Sequence, residues 1–87
     1  MARYRLEVKP SAAKAFLALP KALQRRLDAR LLALRENPRP HGAVPLEGVP
    51  GMWRLRVGDY RVLYEIRDEI VTVLVLRIGH RREVYRG

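Results

Sequence analysis

The sequence has no cysteine and only two histidines, so a disulfide framework and a thiolate metal site are excluded and a histidine-based metal site has too few donors. Lysine is nearly as scarce: of eighteen basic residues only Lys9, Lys14 and Lys21 are lysines, and fifteen are arginines. No apolar run approaches the roughly 18 residues of a membrane span. The opening residues, Met-Ala-Arg-Tyr-Arg-Leu-Glu-Val, alternate as a strand does and lack the apolar core of a signal peptide. Carboxylates are also few, nine against eighteen basic groups, which leaves a formal net charge of +9 on 87 residues. A chain of this length holds one small domain, residues 1–87, with a modest core. Together these absences point to a cytoplasmic protein without cofactor or membrane attachment. The charge points to nucleic acid or an acidic protein as partner. The arginine bias suits bidentate recognition of phosphate, and equally a genome or habitat that favours arginine.

What is present is organised around Met52 to Ile66. Gly58-Asp59 separates two alternating runs, Met-Trp-Arg-Leu-Arg-Val and Tyr-Arg-Val-Leu-Tyr-Glu-Ile, and a two-residue Gly-Asp link is a strong hairpin signal because glycine reaches the positive φ of primed turns. Counting outward pairs Val57 with Tyr60, Arg56 with Arg61, Leu55 with Val62, Arg54 with Leu63 and Trp53 with Tyr64. Opposed residues share a face. One face is therefore apolar and aromatic, suited to packing against helices, and the other gathers Arg54, Arg56 and Arg61. Like charges opposed across a ladder cost up to roughly 1 kcal/mol. The nearest acidic residue on that face is Glu65, at the far end of the strand. Such a cluster is either an ordinary solvated face or a surface kept for a polyanion.

Elsewhere, Arg3 to Lys9 alternates as a first strand, and Pro10 ends it. Ser11 is a plausible N-cap for a short helix with Ala12, Phe16 and Leu19 on one stripe. Pro20 opens a second, amphipathic helix that reaches about Asn37, with Leu23, Leu27, Leu31 and Leu34 inward; most of its arginines read as a solvated face, with one edge that could touch nucleic acid. Val44 to Leu46 reads as a short edge strand held there by Pro45. A tight turn at Arg67-Asp68-Glu69 then leads into Ile70 to Leu76, a central strand covered on both faces. With a three-residue loop, Val73 and Val75 flank Leu63 and Arg61 on the basic face. Gly79 turns the chain into a basic tail that is either a frayed terminus or a segment in which Arg81 and Tyr85, four apart, would share one side of a helical turn over the arginines. The fold expected is α+β: an N-terminal strand, two helices, then a mostly antiparallel sheet of about four strands.

The run Trp53-Arg-Leu-Arg-Val-Gly-Asp-Tyr-Arg-Val-Leu-Tyr64, preceded by Leu46-Glu-Gly48 and followed by Gly79-His-Arg-Arg-Glu-Val-Tyr85, resembles the RelE/ParE superfamily of toxins from type II toxin–antitoxin modules. The resemblance spans essentially the whole chain and implies a microbial-RNase-like fold. Its RelE branch implies an mRNA interferase, an endoribonuclease that enters the ribosomal A site and cuts the message. It implies as partners the ribosome, mRNA and a cognate acidic antitoxin, with the toxin–antitoxin hetero-oligomer binding operator DNA. By motif, the family's active site falls on Arg54, Arg56, Arg61, Arg81 and Tyr85.

The implied chemistry is attack of a ribose 2′-hydroxyl on the adjacent phosphorus, giving a cyclic phosphate and a free 5′-hydroxyl. Arg61 suits the phosphorane, since a planar guanidinium holds two equatorial oxygens. Arg81 supports it or the leaving group, and Tyr85 hydrogen-bonds the nucleophile or stacks on a base. The sequence departs from the family where a lysine pair is usual: Arg54 and Arg56 stay protonated, so the matched positions lack a conventional base. His80, Glu47 and the phenolate of Tyr85 are the candidate substitutes. The alternatives are a ParE-like toxin that inhibits DNA gyrase, against which the interferase pattern of the tail speaks, and a non-catalytic RNA- or ribosome-binding protein.

Overall fold

The computed structural model describes residues 3–80. The order of elements is β1 (Arg5–Val8), α1 (Pro10–Leu17), α2 (Lys21–Ala33), β2 (Ala43–Pro45), β3 (Met52–Val57), β4 (Tyr60–Arg67) and β5 (Thr72–His80), with a single 3₁₀ turn, Asp68–Ile70, between the last two strands. The five strands form one mixed sheet in the order β1-β5-β4-β3-β2, antiparallel except where β1 runs parallel to β5. This is the expected α+β arrangement.

Both helices lie on one face of the sheet. Leu27, Leu31 and Leu34 from the second helical region and Ala12 from α1 close over Leu55, Val62, Tyr64, Val73 and Val75, and Trp53, Phe16 and Leu23 pack at the margin. The first helix begins one residue earlier than its apparent cap: Pro10 occupies its first turn and Lys9 is the N-cap, without a side-chain hydrogen bond, so Ser11 is not the cap. Proline already has the helical φ and lacks the donor that a cap would satisfy. Regular α2 ends at Ala33 rather than near Asn37. Leu34, Arg35 and Glu36 donate to Leu31, Leu32 and Ala33, i to i−3 bonds that tighten the chain before Pro38.

The β3–β4 hairpin has the register expected from Gly58-Asp59 at every pair, from Val57 with Tyr60 to Trp53 with Tyr64, and Gly58 adopts φ +61°. The next connection differs from expectation. It runs through Asp68–Ile70 to Val71, which is left-handed at φ +48°, and β5 starts only at Thr72. Val73 therefore pairs with Ile66 and Val75 with Tyr64, both fully buried under the helices, and neither flanks Arg61 or Leu63 on the basic face. A β-bulge then follows, and β5 continues straight through Gly79 to His80 instead of turning there. Helices cover one face of β5; Leu74 and Leu76, out of step with the buried valines, stay only half-buried.

Candidate functional site

The face of the sheet opposite the helices carries Arg54, Arg56 and Arg61. Arg56 and Arg61 are directly opposed, and Arg54 faces Leu63 two positions along, so the strand period alone places three guanidinium side chains on one surface. Arg54 and Arg61 are half-buried and Arg56 is exposed. Beyond the bulge the partners on β5 are Gly79 opposite Arg61 and Arg77 opposite Leu63, which adds Arg77 to the arginines near the hairpin. Sequence reasoning missed Arg77, since the bulge that decides its side leaves no mark in a run of apolar residues.

The carboxylates that the register puts on this face are engaged by other arginines. Glu65 accepts from Arg67 at 3.0 Å, and Glu7 of β1 lies 3.6 Å from Arg5. At the hairpin tip Arg56 Nε donates to the Gly58 carbonyl at 3.2 Å, and Arg26 of α2 brings its guanidinium to within 3.6 Å of the position a Gly58 Cβ would take. One edge of the second helix thus extends the cationic surface around the turn.

The proposed bases separate by geometry. His80 pairs with Tyr60, on the helix-covered face, and their rings meet edge-on at 5.6 Å between centres, so strand alternation turns His80 away from Arg61. Glu47 lies in the β2–β3 loop, at the Met52 end of the hairpin. Arg56 is four residues further along β3, about 13 Å at the usual strand rise. Arg81 and Tyr85 lie outside the described residues.

The opposite end of the sheet has a different polar structure. The Tyr4 hydroxyl donates to Asp68 Oδ1 at 2.6 Å, and Arg39 donates to both oxygens of Asp68, at 2.7 and 3.4 Å, with its Cζ 5.6 Å from the centre of the Trp53 ring. The hydrogen bond from Arg39, then that from Tyr4, holds the Asp68 carboxyl below its ordinary pKa, and the same bond to Asp68 pushes the Tyr4 phenol up. Beside them the fully buried Tyr64 hydroxyl donates to the Pro38 carbonyl at 2.8 Å, and burial raises its pKa to about 12. This corner fastens the α2–β2 connection to the sheet. Among the described residues no group of three His, Cys, Asp or Glu side chains gathers to hold a metal, and no helix is long and apolar enough to cross a membrane.

Similarity to known proteins follows the same outline. The family profile described as "ParE toxin of type II toxin-antitoxin system, parDE" matches residues 6–85. The mRNA interferase toxin RelE of Escherichia coli K12 is 34% identical over 86 residues, covering 94% of this chain and 90% of that protein. Among solved structures, the archaeal RelE-RelB complex from Pyrococcus horikoshii OT3 aligns with a TM-score of 0.83 at 30% identity, over 93% of this chain and 98% of the other. The toxin-antitoxin complex RelBE2 from Mycobacterium tuberculosis aligns with a TM-score of 0.80 at 29% identity, over 95% and 97%. Similarity of this extent in sequence and in fold places the chain in the RelE/ParE superfamily, as a RelE-like toxin of the type II toxin–antitoxin kind.

Proposed function

We propose that this toxin is a ribosome-dependent mRNA endoribonuclease, cutting the message in the A site by attack of a ribose 2′-hydroxyl on the adjacent phosphate. The observation that carries the reading is the convergence of Arg54, Arg56 and Arg61 on the open face of the sheet. A purely structural face gains by interleaving charges of opposite sign. A face shaped for RNA keeps cations together for the phosphate backbone.

In this mechanism Arg61 holds two equatorial oxygens of the developing phosphorane, and its half-buried position between β3 and β5 fixes the guanidinium before the substrate arrives. Arg54 and Arg56 grip the flanking backbone. They supply charge without taking up a proton, because a guanidinium has no neutral form at these pH values. Arg81 stabilises the negative charge on the leaving 5′-oxygen, which takes its proton from water to become the 5′-hydroxyl. Tyr85 is the remaining candidate for the proton acceptor. Resemblance to the RelE branch supports placing both residues in the site.

The partner we propose is an acidic antitoxin. The RelE-RelB assemblies of the structural relatives and the net charge of +9 support it, and the joint complex is the form that would bind operator DNA. The experiment that tests the activity is primer extension on mRNA bound to programmed ribosomes. Cleavage mapped inside the A-site codon is the expected result. The ParE description of the matching family profile favours one other reading, gyrase inhibition. Intact message together with inhibited gyrase would replace the interferase reading with that one.

A further inference from the structure

The bulge in β5 decides which side chain of that strand reaches the arginine face. Up to the bulge Tyr64 pairs with Val75; beyond it Leu63 pairs with Arg77 and Val62 with Ile78, so Leu76 is the extra residue without a ladder partner. Were the register to continue unbroken, Leu76 would oppose Leu63 and Arg77 would oppose Val62, beneath the helices. A slip of one residue exchanges the faces of every side chain that follows. The observed slip seals the core with Ile78, which is 6% exposed, and turns Arg77 outward.

On that face Arg77 is the diagonal neighbour of Arg61, whose direct partner is Gly79. Such diagonals put Cα atoms about 7–8 Å apart, within reach of long side chains that share one extended ligand. Directly across from Arg77 is the half-buried Leu63, and across from Leu63 is Arg54. An apolar patch with a guanidinium side chain on either side has the layout of a nucleotide seat, in which the base lies on the leucine and the backbone phosphates meet the arginines. Among the described residues, the closest carboxylate by register, Glu65, is held by Arg67.

We infer that Arg77 is a phosphate-binding residue of this toxin, gripping in single-stranded RNA the phosphate next to the one held by Arg61. The inference takes its ligand from the interferase reading and adds a role in substrate binding rather than in the chemical step.

The test uses the full chain, unaltered and as Arg77→Gln and Arg77→Lys, with octauridylate as the probe. Affinity is measured over about 50 to 200 mM salt, and each phosphate contact on a single strand contributes about 0.7 to the slope of log K against log salt. Arg77→Gln is expected to lose about 0.7 of that slope, and Arg77→Lys to keep it. On programmed ribosomes Arg77→Gln should raise KM several-fold and leave kcat within about twofold, the pattern of binding energy shared by ground and transition states. Unchanged slope and affinity in Arg77→Gln, failure of Arg77→Lys to restore them, or no octauridylate binding by the unaltered chain would overturn the inference. Intact message with the unaltered chain would defeat the interferase reading alone, and the salt series would still decide the role of Arg77.

Discussion

Arg39, beside the Asp68 turn, lays two guanidinium nitrogens on one carboxylate and rests near the Trp53 ring, whereas Arg56, beside the Gly58 turn, faces Arg61 across the ladder and donates to a backbone carbonyl. Both side chains belong to the same small basic domain. At the first end the arginines resolve into pairs: Arg39 with Asp68, Arg3 with Glu36 and Arg67 with Glu65. At the second they are set beside one another. The first end is built from arginine–carboxylate pairs and the second from arginines that strand register brings side by side, a distinction that net charge alone does not make.

Substitutions at the two ends should therefore fail differently. The largest effect is expected for Arg61→Ala, which removes charge stabilisation formed chiefly in the transition state. Its cleavage rate should fall on the order of 100- to 1,000-fold while Tm hardly moves, as read by primer extension and thermal melting side by side. Loss of folded protein instead would erase the contrast between the two ends.

Tyr64→Phe probes the structural end. It leaves the buried Pro38 carbonyl without its donor, at a cost of about 1–3 kcal/mol in denaturant unfolding at neutral pH. Its pH dependence sharpens the point. The folded-state pKa of Tyr64 is raised from 10 to about 12, so the folded chain holds this proton more tightly than the unfolded chain does. The unaltered protein should lose stability as pH climbs from about 10 to 12, by roughly 2–3 kcal/mol from this group. The phenylalanine variant should show a shallower alkaline loss.

Gly58→Val tests whether the arginine end also depends on its turn. At φ +61° a β-branched residue is strained by roughly 1–2 kcal/mol, while the added Cβ would meet Arg26 only at ordinary contact distance. A lower Tm with weakened cleavage is expected, because Arg56 and Arg61 are registered by that turn. An unchanged Tm would show that the hairpin does not need glycine there.

Asp68→Asn should have the smallest effect, since its contacts with Arg39 and Tyr4 are exposed to solvent. Tm should fall by a few degrees at most, with cleavage unaffected. Because the Asp68 pKa is lowered in the fold, its contribution is present above about pH 4 and is lost as the pH falls below that value. The variant and the unaltered chain should therefore converge in acid.

The hairpin was legible because Gly58-Asp59 fixes a two-residue turn and the flanking runs alternate strictly, so register, faces and the convergence of Arg54, Arg56 and Arg61 follow by counting. Farther on, the signal fades for identifiable reasons. Thr72 to Ile78 is apolar at nearly every position, so parity carries no information and an extra residue at Leu76 is invisible. The preceding turn includes Ile70 and Val71, residues with strand preference, and Val71 takes a left-handed conformation that no propensity favours. The tail residues assigned to the site, Arg81 and Tyr85, lie outside the described residues, so their contribution rests on resemblance.

The single parallel pairing has a consequence for how the molecule assembles. The arginines of the open face are contributed by β3, β4 and β5, which are joined by short turns, while Leu6 of β1 finds Val73 across almost the entire chain. Local hairpins close at little entropic cost, and distant pairings come later in folding because a long loop must be ordered first. Strand β1 is thus expected to pair late, and it forms one of the two short edges of the sheet, the other being β2. The geometry of the arginine face is set by the most local part of the chain, and the long-range pairing of β1 lies at the far edge of the sheet.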